Sequence, residues 1–190
     1  TKIKDGDIVS IIPVIHGGSQ RIQFQIFNNN VELMGIKRID DPVGFLDDLR
    51  KKYQDLVIQG IQSSFVLGSN HAKKIIAISL AAQKDGMLLS NKIETDILMR
   101  FACTKQISEA IQKVGLQRKQ DFVLIIIGKK QSFNKLFNEI RTNLKSNLFS
   151  IKNSTFLKKE FKISKKQLGA ATSKTPLEDL LAEKAAILFR

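Results

Sequence analysis

The stretch Phe122–Ile127, FVLIII, is a run of six apolar residues with no polar interruption. This length is typical of a strand, and the lack of alternation predicts a central strand that is covered on both faces. Upstream, Asp41 and Pro42 are placed to begin a helix. The chain shows neither strict alternation of strands and helices nor an internal repeat. The predicted fold is therefore α+β: a two-layer domain with a mixed or antiparallel sheet flanked by helices.

The stretch Asn91–Gly115, NKIETDILMRFACTKQISEAIQKVG, carries signals for two consecutive helices. Asn91 and Glu94 have the spacing of a capping pair at the start of the first helix, and Thr104 is placed to cap the second. Gly115 is expected to end the second helix in the left-handed conformation. The apolar spacing in the second helix predicts one buried stripe. Its members are Ile107, Ala110, Ile111 and Val114.

The same stretch resembles the signature of the PRPK-binding-protein-like subunit of the KEOPS complex, roughly L-x-R-x-(A/S)-G-x-R-Q-I-x-x-A-I-x-x-x-G. Cys103 stands where this family usually has Gly, and a Cys side chain is sterically disfavoured in a left-handed corner. Lys105 stands where the family usually has Arg, which keeps the charge but loses the bidentate fork. The matching residues are Arg100, Ala102, Gln106, Ile107, Ala110, Ile111 and Gly115.

The resemblance extends over residues 31–190, through two further segments in the expected order. Val57–Gly86 is similar to the family's strand, turn and His-containing helix, with His71 at the matching place. We expect His71 to form a hydrogen bond at the start of that helix, rather than to titrate or bind a ligand. Phe161–Leu188 looks like the family's closing segment and last helix, with Glu183 and Ala186 in its Glu-x-x-Ala core.

The resemblance implies a non-catalytic accessory subunit of the complex that installs threonylcarbamoyladenosine at position 37 of tRNA. Such subunits dock on the small kinase-like ATPase subunit and reach the remaining KEOPS subunits indirectly. Archaeal members also recruit tRNA through its 3′ CCA end. The implied contacts are the RNA-binding residues Arg100, Lys105 and Gln106 and the partner-binding residues Leu180, Leu181 and Ile187. An internal ion pair of Arg100 with Glu94 or Asp96 is the alternative for that residue.

Residues 5–18, DGDIVSIIPVIHGG, resemble the C-terminal tail of the ubiquitin-like sulfur carriers, such as the small subunit of molybdopterin synthase. In those proteins a Gly-Gly end enters an activating enzyme, where only glycine lets the backbone pass closely. Because Ser19 follows Gly18, such a tail would act only after cleavage, with Gly17 and Gly18 as the processing residues. This hypothesis divides the chain into a carrier-tail remnant at 1–18 and an accessory-subunit domain at 19–190.

The glycine pair also fits a simpler structure. A hairpin with Gly17 and Gly18 in its turn would join the strands Val9–Ile15 and Ile22–Phe27. Two alternative functions therefore stay open beside the accessory subunit. One is a precursor of an upstream ubiquitin-like sulfur carrier or protein modifier, and the other is a stand-alone basic nucleic-acid-binding module.

The charge balance is strongly basic. The chain has 31 Lys and Arg residues against 18 Asp and Glu residues, which gives a formal net charge of +13. Such an excess of positive charge favours the binding of polyanions, including RNA, because binding releases counterions. A solvated surface rich in lysine, or a compositional bias of the genome, explains the same count without nucleic acid.

No set of residues with catalytic or metal-binding spacing is found in the sequence. One Cys and two His residues exclude an internal disulfide framework and a Cys/His zinc cluster. We therefore expect a protein without enzymatic activity, cofactor or metal. No apolar run is long enough to span a bilayer, so we expect a soluble protein without a membrane partner. The single Cys is consistent with a reducing cytoplasm, which is the expected location.

Two basic segments have two interpretations each. Gly128–Ser132, GKKQS, follows the predicted central strand and has the composition of a phosphate-binding turn, but the P-loop pattern is absent and an ordinary turn is favoured. Ser154–Lys166 is basic, with Phe156 and Phe161 interleaved. This pattern fits a stacking surface for single-stranded nucleic acid, but helical spacing favours a place in the core for these aromatic rings.

Overall fold

The computed structural model describes residues 21–146, 149 and 152–188. Its central sheet consists of β1 (Arg21–Ile26), β2 (Asn29–Ile36), β3 (Val57–Gln62) and β4 (Phe122–Gly128). The strands lie in the order β1-β2-β4-β3, and every neighbouring pair is antiparallel. The sheet therefore places β4, which comes last in sequence, between two strands that precede it.

The central strand β4 contains the apolar run FVLIII. All six of these side chains are buried. In the register of the sheet, Leu33 of β2 lies opposite Ile125, and Ile58 of β3 lies opposite Ile126. The prediction of a central strand covered on both faces is confirmed.

Eight α-helices surround the sheet in the described part of the chain. They are α1 (Pro42–Lys52), α2 (Ser69–Lys84), α3 (Ile93–Ala102), α4 (Ile107–Val114), α5 (Lys130–Glu139), α6 (Asn153–Glu160), α7 (Lys165–Ala170) and α8 (Pro176–Ala186). The predicted start of α1 is confirmed, because Asp41 accepts a hydrogen bond from the Gly44 N–H at 3.0 Å and Pro42 lies in the first turn.

Side chains on the two faces of the sheet enter two separate apolar cores. Helices α2, α3, α4, α6 and α8 contribute to the core on one face, and α1 and α5 to the core on the other. From β4, the first core receives Val123, Ile125 and Ile127, and the second receives Phe122, Leu124 and Ile126. The α+β class and the antiparallel sheet are thus confirmed. Helices on both faces add a third layer to the two that were predicted.

The predictions for the start of α3 and the end of α4 are wrong. Helix α3 begins after Lys92, whose N–H is bound by Ser90 Oγ at 3.3 Å, and Asn91 makes no capping bond. Gly115 has φ −65° and is extended rather than left-handed. Glycine is needed there for a different reason, since a Cβ would lie 2.3 Å from the Ile111 carbonyl oxygen.

Candidate functional site

Helices α3 and α4 meet at a sharp corner whose first residue is Cys103. This residue has φ 52° and ψ 45°, in the left-handed region. Its N–H donates to the Arg100 carbonyl at 3.2 Å, and the Thr104 N–H donates to the Met99 carbonyl at 3.1 Å. These are the two bonds of a Schellman helix end. The corner thus keeps its left-handed geometry although a Cys side chain is disfavoured there.

The start of α4 exposes two of the predicted RNA-binding residues. Its N-cap is Gln106 rather than the predicted Thr104. Thr104 supports this start from two residues earlier, because its Oγ1 accepts from the Gln106 N–H at 3.3 Å and donates to Glu109 at 2.5 Å. Lys105 and Gln106 are exposed, and within residues 21–146, 149 and 152–188 neither side chain has a hydrogen-bond or ion-pair partner. Both side chains are available to a ligand.

Arg100, the third predicted RNA-binding residue, is only 3% exposed. Its Nε donates to Asp96 Oδ2 at 2.7 Å, and its Nη1 donates to the Ala185 carbonyl at 2.8 Å. The Leu89 N–H donates to the other Asp96 oxygen at 2.7 Å. The predicted internal pair with Asp96 is therefore confirmed. A direct RNA contact by Arg100 does not fit this geometry, because its charged group is occupied and enclosed.

The predicted apolar stripe of α4 is only half covered. Ala110 and Val114 are fully buried, whereas Ile107 is 46% exposed and Ile111 is 56% exposed. The helical spacing is correct, but the neighbouring elements cover only one side of the stripe. The two isoleucines form an exposed aliphatic surface that begins directly after Gln106.

The predicted partner-binding residues on α8 lie in three different environments. Leu181 is buried in the first core at 1% exposure, so it is not a surface contact. Leu180 is half-buried, and Ile187, just after the helix, is 61% exposed. The buried stripe of α8 is Leu177, Leu181 and Ala185. Surface contacts by α8 are therefore limited to its other residues, and Ile187 just after the helix adds a large exposed apolar side chain.

A pocket of about 300 Å³ lies between the α3–α4 corner and the end of α8, and we call it the corner pocket. Cys103, Phe161, Lys162, Lys184 and Ile187 are among its lining residues. Burial raises the pKa of the Cys103 thiol to about 11, although two nearby lysines, one of them Lys184, act in the opposite direction. This pocket was not predicted, because its lining residues come from segments that are distant in sequence.

The other predicted positions have structural roles in the described chain. His71 is buried, and its Nδ1 accepts from the Leu67 N–H at 3.2 Å, which confirms the hydrogen-bonding role at the start of α2. Helix α5 begins within the predicted turn after β4, at Lys130, and Ser132 in its first turn donates to Asp55 at 2.6 Å. Phe161 is buried, whereas Phe156 is exposed at 38% and packs edge-on against Phe65. The predicted place in the core is thus confirmed for Phe161 alone.

Gly17 and Gly18, the predicted processing residues, lie outside the described residues. Among the described residues, no three His, Cys, Asp or Glu side chains are grouped so that they would hold a metal ion. In that same part of the chain, no helix has both the length and the apolar character needed to cross a bilayer.

No curated protein sequence matches the chain. The family model for kinase binding protein CGI-121 matches residues 37–188, which include the α3–α4 corner, α8 and the corner pocket. This match covers well over half of the chain, and it agrees with the resemblance seen in the α3–α4 sequence. The chain belongs to the CGI-121 family of kinase binding proteins.

Proposed function

We propose that the chain is a non-catalytic accessory subunit of the KEOPS complex. In this role the chain binds the kinase-like ATPase subunit. It also recruits tRNA through the 3′ CCA end, so that threonylcarbamoyladenosine can be formed at position 37. The observation that carries this proposal is the match over residues 37–188 to a family of kinase binding proteins. The RNA part has separate support in the exposed residues of the α3–α4 corner and in the net charge of +13.

The kinase-binding surface is assigned to the end of α8. Ile187, just after α8, is the most exposed large apolar side chain of the described chain, and Leu180 on α8 is half-buried. Apolar side chains that are desolvated on binding supply much of the energy of protein interfaces. Ile187 and Leu180 are therefore the proposed contacts, and Leu181 contributes by packing α8 on the core.

The RNA-binding surface is assigned to the start of α4. Lys105 supplies a positive charge without an ion pair in the described chain, and Gln106 supplies an amide that both donates and accepts. The first backbone N–H groups of a helix also lack partners within it. These donors suit a phosphate and the edge of an unpaired base.

Equilibrium binding of tRNA to the full chain tests the RNA part. Intact tRNA is compared with tRNA lacking its 3′ CCA, for the wild type, Lys105→Ala and Gln106→Ala. Lys37→Ala is the matched control, because Lys37 is also exposed and lies just after β2. We expect tighter binding of intact tRNA and a smaller salt slope, by about 1, for Lys105→Ala but not for Lys37→Ala.

Equal binding of both RNAs, with the same salt slope for Lys105→Ala and the wild type, contradicts the RNA part. This result would favour the stand-alone basic module, in which the positive charge binds RNA without a defined site.

Kinase binding is measured with the same variants. Because Lys105 is assigned to RNA alone, Lys105→Ala is expected to bind the kinase-like subunit as the wild type does.

A further inference from the structure

The corner pocket is bounded by two helix ends of the same kind. Lys162 has φ 52°, and its N–H donates to the Lys159 carbonyl at 3.2 Å, while the Ile163 N–H donates to the Lys158 carbonyl at 2.8 Å. This repeats at the end of α6 the Schellman geometry that Cys103 has at the end of α3. Both left-handed residues line the pocket, which is therefore built from fixed backbone and not only from flexible side chains.

Arg100 holds α8, whose end forms the third wall of the pocket, in place. Its backbone carbonyl accepts the Cys103 N–H, and its side chain donates to the Ala185 carbonyl near the end of α8. One buried residue thus holds both the corner and the helix that carries Lys184 and Ile187. A site whose walls are held in place before binding loses less conformational entropy when a partner enters.

The chemistry of the pocket combines apolar walls with unpaired positive charge. Glu160, its acidic lining residue, forms an ion pair with Lys113 at 3.1 Å, and the same lysine lies 4.5 Å from the centre of the Phe161 ring. Lys162 and Lys184 have no ion-pair partner within the described chain. An apolar group with carboxylates beside it is therefore the complementary ligand.

We infer that the corner pocket receives an apolar side chain of the kinase-like subunit, with carboxylates of that subunit placed against Lys162 and Lys184. This inference rests on the proposed function, and it adds the residues and the charge that the partner must present. A protein is favoured over RNA because the most exposed apolar wall residue, Ile187, is aliphatic and the aromatic wall residue, Phe161, is buried, whereas unpaired bases are usually held by exposed aromatic or guanidinium groups.

Affinity for the kinase-like subunit tests the charge and the apolar wall separately. The variants are Lys184→Glu and Ile187→Ser in the full chain, and their matched controls are Lys37→Glu and Val43→Ser. Lys37 is exposed just after β2, and Val43 is 55% exposed on α1. We expect each pocket variant to weaken binding by about tenfold or more, and each control by less than about twofold. A thermal melt of each variant checks that the fold is kept.

Cys103 is the single cysteine of the chain and provides a direct reporter inside the pocket. The rate of its alkylation by iodoacetamide is followed by mass spectrometry of this chain, with and without a saturating amount of the kinase-like subunit. Bound partner is expected to slow the reaction to less than about a tenth of the free rate, because thiol reactivity requires access. Saturating tRNA is expected to leave the rate unchanged.

The outcomes separate the inference from the proposed function. If the wild-type chain does not bind the kinase-like subunit, both are contradicted. If the wild type binds, but Lys184→Glu and Ile187→Ser bind equally well and Cys103 stays reactive, the corner pocket is not the contact. The assignment of Ile187 to the kinase-binding surface then fails with it, whereas the role of the chain as a kinase-binding accessory subunit stands. Shielding of Cys103 by tRNA and not by the kinase-like subunit would assign the pocket to RNA and overturn the inference.

Discussion

Arg100 shows how a charged residue is used inside this fold. Its guanidinium lies between a carboxylate on its own helix and a carbonyl of α8, and the rigid fork of Arg can serve both at once. A Lys side chain has one charged nitrogen and would not reproduce this arrangement. From the sequence, Arg100 could either contact RNA or form an internal ion pair. Its burial in the structure favours the internal ion pair.

The substitution Arg100→Met is expected to lower the free energy of unfolding by about 3 kcal/mol, because it leaves Asp96 buried without its charge partner. Urea unfolding followed by circular dichroism measures this loss. The double variant Asp96→Asn with Arg100→Met is the control, and it should recover part of the stability. A loss below about 1 kcal/mol in the single variant would show that the pair is not a stabilising contact.

His71 is a buried neutral base whose ring packs edge-on against Phe101. Burial, with a smaller contribution from Lys74, lowers its pKa to about 3. The unfolded chain binds the proton near pH 6.5, whereas the folded chain does not. Since the unfolded state then holds more protons, stability is full above about pH 6.5 and is lost as the pH falls toward 3.

To test this pH dependence, the free energy of unfolding is compared between the wild type and His71→Gln from pH 7 to pH 4. The wild type should lose up to about 1.4 kcal/mol per pH unit through this residue, a contribution that Gln cannot make because it does not titrate. The free energy of unfolding, measured by urea titration at each pH, should therefore fall more steeply for the wild type. Parallel curves would mean that His71 does not remain neutral in the folded state.

At the scale of elements, α4 shows what helical periodicity predicts and what it leaves open. The spacing of Ile107, Ala110, Ile111 and Val114 correctly predicts one stripe on one helix face. Which half of the stripe is covered depends on elements that are distant in sequence. Because periodicity carries no information about those neighbours, the exposure of Ile107 and Ile111 was not predictable.

A pair of alanine substitutions separates the two halves of the stripe. Val114→Ala is expected to lower the free energy of unfolding by about 2 kcal/mol, because it leaves a small cavity in the core. Ile111→Ala is expected to change it by less than about 0.5 kcal/mol, because its side chain is largely in solvent. Equal losses in urea unfolding would mean that the surface bearing Ile111 is covered in solution.

Helix and strand signals were reliable where they were local. Asp41 and Pro42 begin α1 as predicted, and the run at Phe122–Ile127 forms the central strand, since both signals act within a few residues. The predicted cap at Asn91 failed, because Ser90 binds the nearby N–H instead. Local competition of this kind between adjacent polar residues cannot be decided from spacing alone.

At the scale of the whole molecule, the fold class was predictable and the arrangement of the candidate site was not. Lys105 and Gln106 are neighbours in sequence, so their shared place at the corner followed directly. Lys162 and Lys184 reach the same region only because α6 and α8 pack on the same face of the sheet as α3. The proposed contacts in the corner pocket and the proposed RNA contacts thus both adjoin the α3–α4 corner.

The central claim is that the chain links the kinase-like subunit to tRNA. One measurement tests this claim directly. The kinase-like subunit is passed over immobilised tRNA, with and without the full chain, at fixed moderate salt. We expect strong retention only when the chain is present, and loss of that retention when the tRNA lacks its 3′ CCA end. Equal retention with and without the chain, or retention that ignores the CCA end, would contradict the account.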